Sequence, residues 1–156
     1  PSPSPRRRVW GLSLDLGVPD GAAVGLAVRP RDWLHVTTSL TYGGIAPGGR
    51  VGVTLDPLSW MLAPTLTAEG GHCFGGAIPG VQSISSASYS YANFHAGVEM
   101  GGRSPFHFFL RAGVSYVDAT MVVSPNAGSA TNAHISGLSY AGWIAPTAKV
   151  GFSQYF

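Results

Sequence analysis

The sequence predicts an all-β fold in which eight antiparallel strands form one up-and-down barrel that spans a membrane. Apolar and polar residues alternate in period 2 over most of the chain, as in strands with two unlike faces. Only 10% of the 156 residues are charged and 45% are hydrophobic, against roughly 25% charged in ordinary soluble domains. Gly, Ser, Thr or Pro interrupts every apolar run well before the ~20 residues that a spanning helix needs.

The first four strands are predicted over residues 10–18, 22–28, 34–42 and 51–55. In the first strand the even-numbered residues are apolar, whereas the odd-numbered ones are Gly, Ser or Asp. The sequence Pro-Asp-Gly at 19–21 predicts a tight turn, so the first two strands form a hairpin. Residues 29–32 form the next turn, and a Gly- and Pro-rich loop over 43–49 precedes the short fourth strand.

The other four strands are predicted over residues 58–69, 92–100, 106–116 and 143–156. Each keeps the alternation of apolar with small or polar residues. The connections over 70–88 and 120–137 are long and rich in Gly and Ser, whereas 101–105 is a tight turn. Sequential short strands joined in this way predict an up-and-down barrel.

The polar faces of the strands are predicted to point into the barrel. They consist mostly of Gly, Ala, Ser and Thr with a few charges of both signs, unlike the charged exterior of a soluble barrel. Small residues and pairable charges suit the crowded lumen of an eight-stranded barrel. The predicted lumen network consists of Asp15, His35, Glu69, His95, Glu99, His107, Arg111 and Lys149.

Loop lengths predict which end of the barrel lies on which side of the membrane. Short turns after the second, fourth and sixth strands are typical of the periplasmic side, so both termini are predicted to be periplasmic and the two long loops extracellular. Aromatic residues near the strand ends predict two interfacial girdles. Their members are Trp10, Trp33, Trp60 and Phe106 at one end and Tyr42, Tyr91, Tyr116 and Tyr140 at the other.

The last strand carries Ala148, Val150, Phe152 and Phe156 on one face, with Gln154 where an apolar residue is usual. This pattern resembles the C-terminal signal that the barrel assembly machinery recognises in outer-membrane proteins. Residues 9–156 are similar to the small outer-membrane barrels typified by the membrane domain of OmpA and by OmpX. The resemblance implies a Gram-negative outer membrane, contact with its lipid and lipopolysaccharide, and a role as an anchor or partner-binding component of the envelope.

Residues 1–8, Pro-Ser-Pro-Ser-Pro-Arg-Arg-Arg, are predicted to be a tether or tail that could reach an envelope partner. The net charge is only +2 and no long basic face is present, so nucleic acid is not an expected partner. The single cysteine, Cys73, excludes an internal disulfide, and an exposed thiol in the loop over 70–88 is expected. No cofactor and no metal are predicted.

Two other functions stay open beside a non-enzymatic membrane anchor. A lipid A-modifying enzyme would need a nucleophile, a histidine and an acid; His134-Ile135-Ser136 superficially resembles such an element, but no acidic residue follows it. A soluble lipocalin-like barrel would bind an apolar ligand, and would need its apolar faces inside. A metal or acid/base site at His95, Glu99 and His107 is conceivable, but a stabilising polar network is favoured because Arg111 and Lys149 face the same space.

Overall fold

Alternating residues form eight strands in the computed structural model, which describes residues 9–43, 46–58, 60–76, 84–102, 104–123 and 138–156. The strands are β1 Trp10–Val18, β2 Gly21–Arg31, β3 Leu34–Tyr42, β4 Pro47–Leu55, β5 Leu62–Gly76, β6 Ile84–Met100, β7 Phe106–Val123 and β8 Leu138–Tyr155. Each pairs antiparallel with its neighbours in the chain, and β8 pairs with β1, so the sheet closes. The predicted eight-stranded antiparallel barrel is confirmed. The described residues include no helix that is long and apolar enough to cross a membrane.

The two faces of each strand have opposite environments. In β1, the outward side chains from Trp10 to Val18 are apolar and 46–62% exposed, whereas the inward Ser13 and Asp15 are only 4% exposed. The same division holds along β7, where Leu110 is exposed and Arg111 is buried. Polar side chains therefore fill the inside, and large apolar side chains cover the outside.

Inward-facing glycines make room for the larger inward side chains. Gly52 on β4 pairs with Glu69 on β5, and Gly97 on β6 pairs with Arg111 on β7. A Cβ atom on Gly97 would lie 2.8 Å from the Cα and Cγ atoms of Arg111, so a larger residue would force the strands apart. Alternation of small and large residues is how the interior of a small barrel is filled.

The strands are of unequal length. β1 to β4 have 9–11 residues, whereas β5 to β8 have 15–18. At the terminal end of the barrel, where β1 begins and β8 ends, one end of every strand lies at a similar level. At the opposite, far end, β5 to β8 continue beyond the other four as a four-stranded extension.

Several predicted boundaries are wrong, because Gly and Ser were interpreted as loop residues. β4 begins at Pro47, inside the predicted loop over 43–49, and β5 runs on to Gly76 in the predicted loop over 70–88. Gly48 and Gly71 occupy inward positions and Gly49 and Gly70 occupy outward positions, so these small residues continue the alternation of the strands. The start of β5 is also later than predicted: β4 ends at Leu55 and β5 begins at Leu62, and between them the Trp60 N–H donates to the Leu58 carbonyl at 2.8 Å.

Candidate functional site

Five charged residues form a central cluster in the lumen: Asp15, Asp20, Arg50, Glu69 and Lys149. Alternation along β4 points Arg50 inward, where its Nη1 and Nη2 donate to the two carboxylate oxygens of Asp15 at 3.0 and 2.5 Å. This paired geometry is the strongest form of guanidinium–carboxylate contact. The same guanidinium also binds Asp20, and its Nε lies 3.8 Å from Glu69 Oε1.

Lys149 completes the central cluster from β8. Its ammonium donates to Asp20 Oδ2 at 3.1 Å and also to Glu69, and its side chain is fully buried. His95 lies beside this pair, with Nε2 3.1 Å from the Thr147 hydroxyl and Nδ1 3.9 Å from Glu69. Each buried charge in the cluster thus has an opposite charge in contact, which offsets the cost of removing it from water.

Asp20 lies in the β1–β2 turn and reaches back into the lumen. Burial alone would raise the pKa of its carboxyl group, but attraction to Lys149 and Arg50, together with their hydrogen bonds, outweighs burial and holds the pKa below the ordinary 3.8. The carboxylate is therefore charged at neutral pH, and it joins the only two basic side chains of the central cluster.

A second group, the terminal cluster, lies near the terminal end of the lumen and consists of Arg29, His35, Asp56, Glu99, His107, Arg111 and Tyr155. Glu99 is at its centre: Oε1 lies 2.8 Å from His107 Nδ1, and Oε2 accepts from Arg111 at 3.4 Å. His35 Nδ1 is 3.7 Å from Glu99 Oε1 and 3.3 Å from the Tyr155 hydroxyl oxygen. Apart from the 2.8 Å contact between Glu99 and His107, these contacts are longer than the hydrogen bonds within the central cluster.

The protonation of His107 decides which neighbour its Nε2 can bind. Nε2 lies 3.0 Å from the Ser104 carbonyl oxygen and 3.4 Å from Arg29 Nη1. A carbonyl only accepts and a guanidinium only donates, so one ring nitrogen cannot satisfy both. With Nδ1–H donating to Glu99, a neutral imidazole accepts from Arg29, whereas an imidazolium donates to Ser104.

Asp56, in the β4–β5 turn, faces this cluster. Burial raises the pKa of its carboxyl group, and repulsion from Glu99 raises it further. Arg29 Nη2 lies 3.7 Å from Asp56 Oδ2. His35, Asp56 and Glu99 each place a ligand-type atom within 4.8 Å of the other two, and all three are buried.

The structure places all eight residues of the predicted lumen network on the inner face, buried to 6% exposure or less. It divides them: Asp15, Glu69, His95 and Lys149 lie in or beside the central cluster, and the other four in the terminal cluster. Four charged lumen residues and one tyrosine were missed: Asp20, Arg29, Arg50, Asp56 and Tyr155. Their signal was the period-2 series itself, because Arg50 and Asp56 continue the inward positions Gly52 and Thr54, and Tyr155 continues Ser153.

Most of the predicted girdle aromatics lie on the outer surface. The side chains of Trp10, Trp33, Trp60, Phe106, Tyr42 and Tyr116 are 44–63% exposed. Tyr91 is a wrong prediction: it is 4% exposed and faces inward, because it shares the odd-numbered face of β6 with Asn93 and His95. The side chain of Tyr140 lies outside the described residues.

Tyr91 belongs instead to a far-end cluster with Cys73, Tyr89 and Val117, on the inner face of the extension. The Tyr89 hydroxyl donates to the Pro19 carbonyl oxygen at 3.2 Å, which joins the extension to the β1–β2 turn. The expectation of an exposed thiol is wrong, because Cys73 lies within β5 and is 1% exposed.

The C-terminal residues Ala148, Val150, Phe152 and Phe156 all face outward, as does Gln154. One hydrogen-bonded polar pair lies on the outer surface near the far end, where His72 Nδ1 and Ser90 Oγ are 2.9 Å apart. Asp118 is the residue directly opposite Ser90 on β7 and is also exposed. His134 and Ser136, the sequence element considered for catalysis, lie outside the described residues.

Known proteins give no family assignment. Comparison of the chain with protein-family models, with curated proteins and with solved structures finds no significant match. Function must therefore be argued from the arrangement of the side chains alone.

Proposed function

We propose that this chain is an outer-membrane β-barrel with a non-enzymatic role, as a structural anchor or partner-binding component of a Gram-negative envelope. The observation that carries the proposal is the inverted distribution of side chains, with ion pairs inside and large apolar residues outside. Leu16, Leu40 and Ile144, for example, are 60–74% exposed. In water such a surface would aggregate, whereas in a bilayer it is the favoured arrangement.

The height of the apolar surface supports a membrane location. On β1 the outward apolar residues occupy the whole nine-residue strand, and on β7 they run from Phe106 to Tyr116. A tilted strand needs about 9–11 residues to cross the hydrocarbon core. Beyond this height the outward residues on β6 and β7 become polar, namely Ser90 and Asp118, as expected where a bilayer ends.

The contents of the lumen support a structural role over transport or ligand storage. Side chains from Arg50, Glu69 and Lys149 meet across the barrel, and eight strands leave an interior that side chains can fill. A lipocalin-like barrel would need an apolar interior for its ligand. The described lumen is instead lined by charged and hydroxyl-bearing residues.

The test is heat modifiability of the detergent-solubilised chain on a gel, combined with insertion into liposomes. We expect a compact, strand-rich species that changes mobility on boiling and remains with the liposomes after alkaline washing. Leu110→Arg, in the middle of the outward face of β7, should lose about 2–4 kcal/mol of folding free energy in a bilayer. Asp118→Arg, on the same face of the same strand beyond the apolar region, should lose little. A chain that stays monomeric and soluble without detergent would refute the proposal.

A second candidate function, hydrolysis of a lipid ester, is favoured by one observation. The exposed His72 and Ser90 are 2.9 Å apart at the level where acyl chains would meet headgroups, and a histidine beside a serine is the pair that activates a hydroxyl nucleophile. It ranks second because Asp118 lies next to Ser90 and two strands away from His72, whereas in a catalytic triad the acid binds the histidine. Ester hydrolysis that is lost in Ser90→Ala would move this function to first place.

A further inference from the structure

We propose that the terminal cluster is a binding site for one transition-metal ion of the Zn²⁺ type, with His35, Asp56 and Glu99 as the protein ligands. The three residues come from β3, from the β4–β5 turn and from β6, and closure of the barrel brings them together. This inference concerns the inside of the barrel and does not depend on the membrane location.

The spacing of the ligand atoms fits a metal better than it fits hydrogen bonds. One atom from each residue lies within 4.8 Å of the other two. His35 Nδ1 and Glu99 Oε1 are 3.7 Å apart, which is too long for a hydrogen bond. Two ligands bound tetrahedrally at about 2.1 Å from Zn²⁺ are roughly 3.4 Å apart, so a small inward movement would complete the geometry.

Two of the three candidate ligands, His35 and Asp56, are weakly engaged by their protein neighbours, whereas Glu99 is held by His107 and Arg111. His35 Nε2 is buried and has no hydrogen-bond partner among the described residues, and Nδ1 lies 3.3 Å from the Tyr155 hydroxyl, so neither ring nitrogen is held by a short hydrogen bond. Asp56 has long contacts only, 3.4 Å from the Leu58 N–H and 3.7 Å from Arg29. In the central cluster, by contrast, Asp15 accepts two close hydrogen bonds from Arg50.

The charge of the lumen also leaves room for a cation. Among the described residues the inward carboxylates are Asp15, Asp20, Asp56, Glu69 and Glu99, and the inward cations are Arg29, Arg50, Arg111 and Lys149. Five carboxylates against four cations leave one negative charge in excess while the imidazoles are neutral. Asp56 and Glu99 also repel each other, and a shared cation would relieve that repulsion.

Two arginines limit where the ion can lie. Arg111 contacts Glu99 through Oε2, and the oxygen that faces His35 is Oε1, which also accepts from His107 at 2.8 Å. Arg29 is 14% exposed at the edge of the cluster and makes no hydrogen bond to Asp56, so it can move outward to water. His107 donates from Nδ1 to Glu99 and would orient that ligand. An imidazole with two carboxylates favours Zn²⁺ or Co²⁺ over Mg²⁺ or Ca²⁺, which prefer oxygen ligands alone.

The experiment uses the folded, tag-free chain in detergent, titrated with Co²⁺ and followed by visible absorption. Wild type should develop the absorption of a low-symmetry Co²⁺ site that saturates at one ion per chain and is displaced by Zn²⁺, whereas Mg²⁺ should have no effect. His35→Ala should weaken Zn²⁺ binding at least ~10-fold. Loss of a residue that only hydrogen-bonds to a metal ligand already costs about that much, and loss of a ligand should cost at least as much. His72→Ala, which removes an exposed histidine elsewhere, should bind like wild type.

Asp56→Asn provides a second variant if His35→Ala does not fold, because it changes one turn side chain at constant size. It should also weaken binding, and Zn²⁺ should no longer raise the temperature at which the barrel unfolds. A wild-type chain without Co²⁺ absorption would overturn the proposal, as would equal Zn²⁺ affinity in wild type and in either variant. Loss of binding in His72→Ala would show that the metal lies on the outer surface, which would also overturn it.

Discussion

At the scale of single residues, the lumen depends on matched charges and matched sizes. Arg50 is the clearest case, because one guanidinium contacts Asp15, Asp20 and Glu69 while it is almost completely buried. Its neighbour on the inner face of β4 is Gly52, which leaves space for Glu69 on β5. Removal of Arg50 would leave the buried Asp15 without its basic partner, whereas Asp20 and Glu69 would keep Lys149.

Arg50→Met tests this dependence. It keeps an unbranched side chain but removes the guanidinium and leaves Asp15 without its paired donor, so we expect a loss of about 3–5 kcal/mol in the free energy of unfolding. Urea unfolding in detergent micelles, followed by tryptophan fluorescence, measures the change. Arg31→Met, an exposed arginine close to Trp33, is the control and should cost no more than about 1 kcal/mol. Equal losses in the two variants would contradict the role of Arg50.

Asp20 gives the fold a dependence on pH. Its pKa is lowered in the folded chain, so its contribution to stability is present above the ordinary value of 3.8 and is lost as the pH falls through the lower, folded pKa. Asp20→Asn lacks the charge at every pH. The difference in unfolding free energy between wild type and this variant should be greatest near neutral pH and should shrink below about pH 4. A difference that does not change on acidification would contradict the assignment.

At the scale of strands, the extension formed by β5 to β8 turns a polar lumen into an apolar far end. Cys73, Tyr91 and Val117 face the axis there, above the level of the central cluster. The hydroxyl of Tyr89 on β6 donates to the Pro19 carbonyl oxygen in the β1–β2 turn, so the long half of the barrel contacts the short half there. His72, which is adjacent to Cys73 on β5, faces outward instead.

Cys73 should therefore be unreactive toward a bulky maleimide while the chain is folded, and should react fully after unfolding in denaturant. A mass shift on a gel reports the reaction. His72→Cys in a Cys73→Ser background is the matched control, because the adjacent residue lies on the exposed face of β5 and should react in the folded state. Rapid labelling of Cys73 in the folded wild type would place it on the wrong face.

The alternation of apolar and polar residues was enough to predict the barrel. It predicted the limits of a strand only where large residues mark the outer face and polar residues the inner face. β1 has leucines outside and Asp15 inside, so both its face assignment and its limits were predicted. In β4, by contrast, Gly48 and Gly49 look like loop residues, and this concealed the inward Arg50. Alternation also predicted which residues face the lumen. It could not divide them between two clusters, because that depends on which strands lie opposite each other across the barrel.

At the scale of the whole molecule, the two clusters and the apolar far end fill the lumen at successive levels. The ring of Tyr155 packs against His35 and His107 near the terminal end, and Lys149 crosses the middle. We expect that wild type in a planar lipid bilayer produces no sustained conductance steps, whereas a sixteen-stranded porin under the same conditions does. Regular open-channel steps from the folded chain would show that the ion pairs separate readily.

The unequal strands also have a kinetic consequence. The β7–β8 ladder extends from Phe106 to Val122, whereas β1 meets β8 only from Gly11 to Val18, at the joint that closes the barrel. Shorter ladders open at lower free energy, so amide protons of β1 should exchange with deuterium sooner than those in the middle of β7. The closing joint is thus where the chain would first come apart, and where a growing barrel would be joined last.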